Sequence, residues 1–544
     1  MKKYLPPLLY MLLALTVMAP LFQPGYLFLL DMVFTPQLRL GQWMHDGVLS
    51  PQLPLGILLK LLSLVLPTQV IQKLLLTAVL FLTGVTMERC ARRFLPFPWP
   101  FASGLLFILN PWVYERLLAG HWLVLLGYSL FPLLVAWLVD VSRMPSRRNF
   151  WRVVLLLAFY PLMSLHWAYM SYGFTLIGII AWYGVRRPSF TPHLKKTIAL
   201  YAGIAAFLII LINSFWLAGF FRPHETFPDI TANDFAAYQT RGDQRFGIWM
   251  NALALYGFWN DEYILPKDTF TPWPLAALAI LALSAAGGYT LIKKREPLGI
   301  TLILIFLPAL ALGVGYGSSA ARLLTAAFAE WLPGFRGLRE TEKLLGLLAL
   351  TYALLAPLGL AWIARQFGRA VPAYYRYISG AACILLCLLV PVHMHSIFWG
   401  FSGQLTPSSY PVSWERAREI LARDPGTRAV LFLPWHGYMA FSFSGAHRIS
   451  NPAPRYFDAT IIAARSVDNS FLLARDQNDW DRALFRLVQR VSRPEDEIAL
   501  LRAQQVTHII LAQGTDWERY GFLDASPLFT PIFSSPDLTL YRVQ

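Results

Sequence analysis

Residues 4–36 read YLPPLLYMLLALTVMAPLFQPGYLFLLDMVFTP: an apolar run over 4–22, then the first carboxylate of the chain, Asp31. About 20 apolar residues in a helix cross a hydrocarbon core of about 30 Å, so 4–22 reads as a membrane span. Comparable runs recur at 68–88, 99–112, 121–141, 151–166, 169–185, 197–217, 271–291, 298–314, 343–363 and 378–398. The whole chain agrees with this reading. Its 544 residues are 56% hydrophobic and only 14% charged, with mean hydropathy +0.47. Soluble domains carry about 25% charged residues, and disordered chains have fewer apolar ones, so both classes are excluded. The expected fold is an α-helical polytopic membrane protein with about 11 transmembrane helices.

Forty-six Lys and Arg against 31 Asp and Glu leave a net charge of +15. The basic residues cluster at alternate span ends: Lys2 and Lys3, Arg89 to Arg93, Arg143 to Arg152, Arg186 to Lys196, Lys293 to Arg295, and Arg365 to Arg376. This is the positive-inside pattern, which reports orientation and gives no reason to expect a nucleic-acid partner. An odd span number then predicts a cytoplasmic N-terminus and an extracytoplasmic tail, in a multi-pass protein of the plasma (inner) membrane. Lys2, Lys3 and the following run would also suit a cleaved signal peptide, but Pro20 directly after Val17 to Ala19 favours a retained span. The three cysteines, Cys90, Cys383 and Cys387, lie in or beside spans, so no disulfide or CxxC knuckle is expected in the tail.

Two domains follow. Residues 1–399 form a transmembrane domain with long outside loops at about 23–67, 218–270 and 315–342; loops of that length are usually functional. In the first, LPLGILLKLLSLVLP (53–67) is too short to cross and amphipathic, which predicts a helix on or re-entering the outer surface. Residues 400–544 read as a soluble α/β domain: WERAREILARD and DRALFRLVQRV as helices, AVLFLPW, THIILAQ and LTLYRV as strands.

Ionisable residues gather at the expected outer edge. Asp31 follows an apolar run, where one-sided desolvation would raise its basicity and make it a candidate general base; a helix cap or plain loop acid is the alternative. NPWVYERLLAGHW (110–122) places Glu115, Arg116 and His121 within about two turns, with Glu115 and Arg116 on different helical faces. An aromatic belt with a snorkelling Arg explains the same stretch. FRPHETFPD (221–229) contributes His224 and Glu225, which with Glu115 and His121 could form a second acid, acceptor or metal site, though no spacing has the specificity of HExxH. In LPGFRGLRETEK (332–343), Arg336, Arg339 and Lys343 would line one face of a helix start and grip a phosphate, or anchor the helix at the interface.

The order of these features resembles the GT-C glycosyltransferases: a first span followed by Asp31 and surface helices, a second loop with acid and His, a large later loop, and a soluble outside tail. Within them, NPWVYERLLAGHWLVLLGYSLFPL, LPGFRGLRETEKLLGL and AVLFLPWHGY look like the prokaryotic YfhO-type group. The resemblance implies a lateral groove in which a polyprenyl-phosphate-linked sugar meets the hydroxyl of a glycan, lipid or protein acceptor. By similarity Asp31 would be the base of an inverting transfer, and Arg116, Arg336, Arg339 and Lys343 would hold the donor phosphate. No cofactor is certain; a divalent cation, Mg or Mn, is the one such a site would take. A single acid at Asp31, in place of DxD, leaves metal dependence open, and the absence of a WWD-type signature disfavours transfer to Asn.

A transporter or flippase for lipid-linked glycans would favour repeated halves and ionisable residues deep in the spans. No repeat is visible. A glycan polymerase shares the substrates without needing the tail. A tail that binds polysaccharide through Trp414, Trp435, His436 and Tyr438 is a third alternative, against an ordinary core role for those residues.

Overall fold

A computed structural model describes residues 5–45, 48–187, 190–221, 230–260, 262–445, 447–464 and 501–544. Nine helices among these are long and apolar enough to cross a membrane: Leu5–Phe22, Thr68–Ala91, Trp122–Arg143, Leu165–Val185, Pro192–Leu217, Trp273–Lys293, Pro297–Gly317, Thr341–Ala370 and Pro372–His393. The chain is a multi-pass membrane protein. It divides into two compact units, one of residues 1–20, 43–56 and 74–405, the other of residues 21–42, 57–73 and 406–544.

In the first unit α1 (Leu5–Met18), α2 (Leu53–Leu62) and α3 (Thr68–Ala91), less the stretch 57–73 of the last two that belongs to the second unit, are followed by α4 (Trp99–Ile108), α5 (Pro111–Leu118) and α6 (Trp122–Arg143). Two runs read as spans from the sequence are shorter helices. Ten residues of α4 rise only about 15 Å, half a hydrocarbon core. The helix stops because Asn110 turns extended and caps α5 instead, its side chain accepting from Val113 N at 3.0 Å, with Pro111 in the first turn. Next come α7 (Arg147–Met163), a 17-residue helix beginning on two arginines, and α8 (Leu165–Val185). Ser164 ends α7 and caps α8, accepting from Trp167 N, so the boundary falls a few residues earlier than hydropathy placed it. The unit continues with α9 (Pro192–Leu217), the short helices α10 (Ala232–Ala237), α11 (Gly247–Leu253) and α12 (Pro266–Thr269), then α13 (Trp273–Lys293), α14 (Pro297–Val314), α15 (Ser319–Trp331), α16 (Gly346–Ala370) and α17 (Tyr375–His393). The α16 helix is the central one: all of its first 14 residues are buried. Small residues let α13 approach it, since a Cβ on Gly287 would lie 2.0 Å from Leu355 O.

The second unit is built on a five-stranded sheet ordered β6 (Thr460–Ile462), β3 (Ala429–Leu433), β7 (Val506–Ala512), β9 (Leu538–Val543), β8 (Phe529–Ser534), numbered after the small hairpins β1 (Met44–His45) with β2 (Val48–Leu49) and β4 (Tyr438–Met439) with β5 (Ile449–Ser450). The three strands β6, β3 and β7 run parallel, and β9 and β8 close the edge antiparallel. Every residue of β3 is buried, as expected of a strand covered on both faces. Leu431, Leu433, Ile509, Leu511, Leu523 and Tyr541 form its core. The helix Val412–Arg423 matches WERAREILARD. The helix expected at DRALFRLVQRV lies outside the described residues.

Residues 26–34 join this unit. Tyr26 pairs antiparallel with Ser408, Gln72 clamps Leu27 through both its N–H and C=O, Tyr410 donates to Phe34 O at 3.0 Å, and Ser450 N donates to Leu30 O at 2.8 Å. Gly25 makes the approach feasible: it sits at φ +110°, and a Cβ would lie 2.8 Å from Ser408 O.

Candidate functional site

In the first unit, residues far apart in sequence converge on one buried charged cluster. Arg116, on α5, is fully buried. Its Nη1 donates to Glu342 Oε1 at 3.1 Å and to His121 Nδ1 at 3.3 Å, its Nη2 lies 3.8 Å from Glu115 Oε2, and its guanidinium stacks 4.6 Å above the Phe258 ring. Glu115 accepts from the backbone N–H groups of Gly257 at 3.1 Å and Phe258 at 3.3 Å. Gly257 is required here. It adopts φ +153°, and a Cβ would meet Thr240 Cγ2 at 2.7 Å. Lys343 pairs with Glu340 Oε1 at 3.0 Å and lies 3.4 Å from His166 Nε2; an ammonium has only donors, so that nitrogen accepts.

Three carboxyl groups thus face the Arg116 guanidinium and the Lys343 amine. Burial, opposed by Arg116 and the two amides, pushes Glu115 up to about 7. A proton on Glu115 would balance the cluster. Burial also opposes ionisation of Glu340, but Lys343 and its neighbours hold that carboxyl far below the usual range. Four buried polar atoms, Arg116 Nε and Nη2, Glu340 Oε2 and Glu342 Oε2, make no hydrogen bond within the protein, which leaves sites for water in the cluster.

The basic residues of LPGFRGLRETEK do not share one helix face. Gly334, left-handed at φ +80°, starts a 3₁₀ turn over Phe335–Leu338, and a second follows over Thr341–Leu345 before α16 begins. Arg336 on the first turn is exposed, Arg339 between the turns is half-buried, and Lys343 on the second is buried. The helix expectation fails because the spacing that aligns residues on a 3.6-residue helix scatters them across two tight turns. Arg339 stacks 4.9 Å from the Tyr238 ring, which meets Trp259 edge-on at 5.2 Å. Beside them Gln239, Thr240, Arg241, Gly242, Trp259 and Gly317 line a polar cavity of about 520 Å³. Arg241, which donates through Nε to Trp259 O, was not singled out from the sequence; the TRGDQRFG turn (240–247) in a long loop was the available signal.

In the second unit Asp31 stands exposed between Leu30 and Met32, which are both buried. The expectation of a half-desolvated carboxylate is corrected: the apolar neighbours turn inward and the acid turns out. Tyr438, on β4, donates to Asp31 Oδ1 at 2.8 Å, and β5 holds the preceding residue through Ser450 N. His436 pairs with Asp516 at 2.9 Å, and Trp414 is buried in an aromatic core with Tyr410, Phe441 and Phe457. The latter has the packing role.

His224 and Glu225 lie outside the described residues. Among the described residues no three His, Cys, Asp or Glu side chains are arranged to hold a metal ion. Glu115 spends both oxygens on backbone amides, so the described part of the suggested metal set does not fit Mg or Mn, and no step through a cation is derived.

No family model matches the sequence, and no curated protein matches it. Solved structures do. The chain is similar to the arabinofuranosyltransferase AftD from Mycobacteria, at TM-score 0.59 and 13% identity over 99% of this chain and 39% of AftD. A mutant AftD, R1389S class 1, gives TM-score 0.58 and 14% identity over 99% and 41%. ArnT from Cupriavidus metallidurans in the apo state gives TM-score 0.50 and 12% identity over 98% and 97%. AftD and ArnT are both GT-C glycosyltransferases, and the chain has their fold. It spans about two fifths of the length of AftD.

Proposed function

We propose that this protein is a GT-C-type membrane glycosyltransferase that moves a sugar from a polyprenyl-phosphate-linked donor to an extracytoplasmic glycan, lipid or protein acceptor. The observation that carries the reading is Asp31: an outward carboxylate on a loop otherwise buried, fixed by Tyr438, in a chain with the GT-C fold. In the proposed reaction Asp31 takes the proton of the acceptor hydroxyl. That oxygen forms the new bond to the anomeric carbon, the bond from carbon to phosphate oxygen breaks, and the polyprenyl phosphate leaves with the electron pair. The configuration inverts. Charge develops on the leaving phosphate, so cations held near it lower the barrier. Arg336 and Arg339 suit that task because they are reachable. Arg116 and Lys343 are committed to carboxylates, and their role is to hold the 336–343 segment in place. The tail is proposed to lie outside the cytoplasm, as the charge pattern of the loops implies.

The test is transfer from a polyprenyl-phosphate-linked sugar by purified wild type, Asp31→Asn and Asp31→Glu. A positioned general base contributes about 10²- to 10⁴-fold, so Asn loses that factor in kcat and Glu recovers part of it. Full activity in Asp31→Asn would remove the base assignment.

A further inference from the structure

Far from the charged cluster, the first unit holds a second cavity, of about 340 Å³. Its walls come from the late part of α6 (Val135 to Ser142), the early part of α7, the late part of α8, the early part of α9 and the start of α14. Leu138 lies 17 residues along α6 from His121, about 25 Å at the helical rise. The lining is almost wholly apolar, with hydroxyls only from Ser142, Tyr172, Thr175, Tyr201 and Thr301. An apolar cavity of about 150 Å³ stays dry and admits a benzene-sized guest; one more than twice as large takes a length of hydrocarbon chain.

Two carboxylates stand at the rim, Asp140 beside the lining residue Val139 and Glu296 beside Pro297, and each is paired with a cation, Arg93 and Arg143 respectively. Residues 141–205, which supply most of the walls, contain eight Arg and Lys and no Asp or Glu. Lys195 stacks 5.7 Å from the Tyr183 ring, next to the lining residue Trp182. Arg147 and Arg148, at the start of α7, are exposed, three and two residues from the lining residue Phe150. Arg143 is paired with Glu296 at 2.9 Å and is not counted among the cations offered to a ligand. A cavity shaped for a hydrocarbon chain, with a cationic mouth between helix ends, recognises a lipid that carries negative charge at its head.

We infer that the α6–α9 bundle binds one anionic phospholipid, an acyl chain in the cavity and the headgroup phosphate among the Arg147, Arg148 and Lys195 side chains. This site is separate from the proposed transfer chemistry, and its failure would leave that reading untouched.

The test is native mass spectrometry of the full chain, delipidated in detergent and titrated with dioleoylphosphatidylglycerol or dioleoylphosphatidylcholine. Wild type should retain one phosphatidylglycerol in preference to phosphatidylcholine, and inorganic phosphate should not compete. Removing a cation should weaken phosphatidylglycerol binding about fivefold, so the Arg147→Gln/Arg148→Gln double variant should lose roughly 25-fold with phosphatidylcholine unaffected. Gly178 lines the cavity, and a Cβ there meets nothing nearer than Thr301 at 3.9 Å, so Gly178→Phe should fill the space and displace the lipid. Equal retention of both lipids, or unchanged binding in the double variant, would overturn the headgroup assignment. Unchanged binding in Gly178→Phe would overturn the cavity assignment, and competition by inorganic phosphate would reassign the mouth to a free anion.

Discussion

Glu115→Gln gives the sharpest test of the buried cluster. Burial moves Glu115 from its ordinary 4.5 to about 7 in the folded protein. The folded state therefore holds a proton that the unfolded chain has released throughout that interval. Stability from this group is complete below about pH 4.5 and is lost as pH rises towards 7. At 1.36 kcal/mol per pH unit the loss totals about 3 kcal/mol. The carboxyl is 1% exposed, so no discount for solvent is due. Glu340, held well below the usual range, adds stability as pH rises through the ordinary carboxylate range, but it is present in both proteins and cancels in their difference. His508, lowered chiefly by burial, acts in the opposite sense, losing stability as pH falls, but it is present in both proteins and cancels in their difference. The assay is thermal unfolding followed by tryptophan fluorescence in detergent from pH 5 to 8. Relative to Glu115→Gln, the wild-type midpoint should fall with rising pH by about two degrees, most of it before pH 7. A difference between the two proteins that does not vary with pH would refute the reasoning.

Arg116→Met should cost about 3–5 kcal/mol, because it strands Glu342 in the interior; a melting midpoint within a degree of wild type would contradict the pairing. Tyr438→Phe removes one hydrogen bond to an exposed carboxylate and should lower kcat about three- to tenfold with KM nearly unchanged, as measured by steady-state transfer. Arg339→Ala should reduce kcat/KM for the lipid-linked donor about tenfold or more without loss of fold, checked by transfer kinetics beside circular dichroism.

Hydropathy located most of the spans because a membrane demands length and apolarity, and both are local properties. It misjudged 99–112 because the apolar residues of α4 continue through Leu109 and resume at Trp112, while the Asn110 cap and Pro111 that end the helix are polar and conformational signals within the run. The strands at 429–433, 506–512 and 538–543 were equally legible, since β-rich runs bounded by polar residues need no distant partner to be recognised. The cluster was only half legible. Glu115 and Arg116 could be seen to face different ways, but their anchors, the amides of residues 257–258 and the carboxylate of Glu342, lie 142 and 226 residues on. Asp31 shows the same limit on a smaller scale. An apolar run predicts burial of the segment, whereas the one carboxylate within it turns outward and meets Tyr438, 407 residues away.

The central claim is transfer from a lipid-linked sugar with Asp31 as base, and mass spectrometry of lipids that copurify with wild type and Asp31→Asn in mild detergent tests it most directly. The account predicts that the variant retains an intact polyprenyl-phosphate sugar while wild type holds the bare polyprenyl phosphate or none. The same intact glycolipid in both would contradict transfer and favour a carrier or flippase, and no polyprenyl lipid in either would contradict the donor.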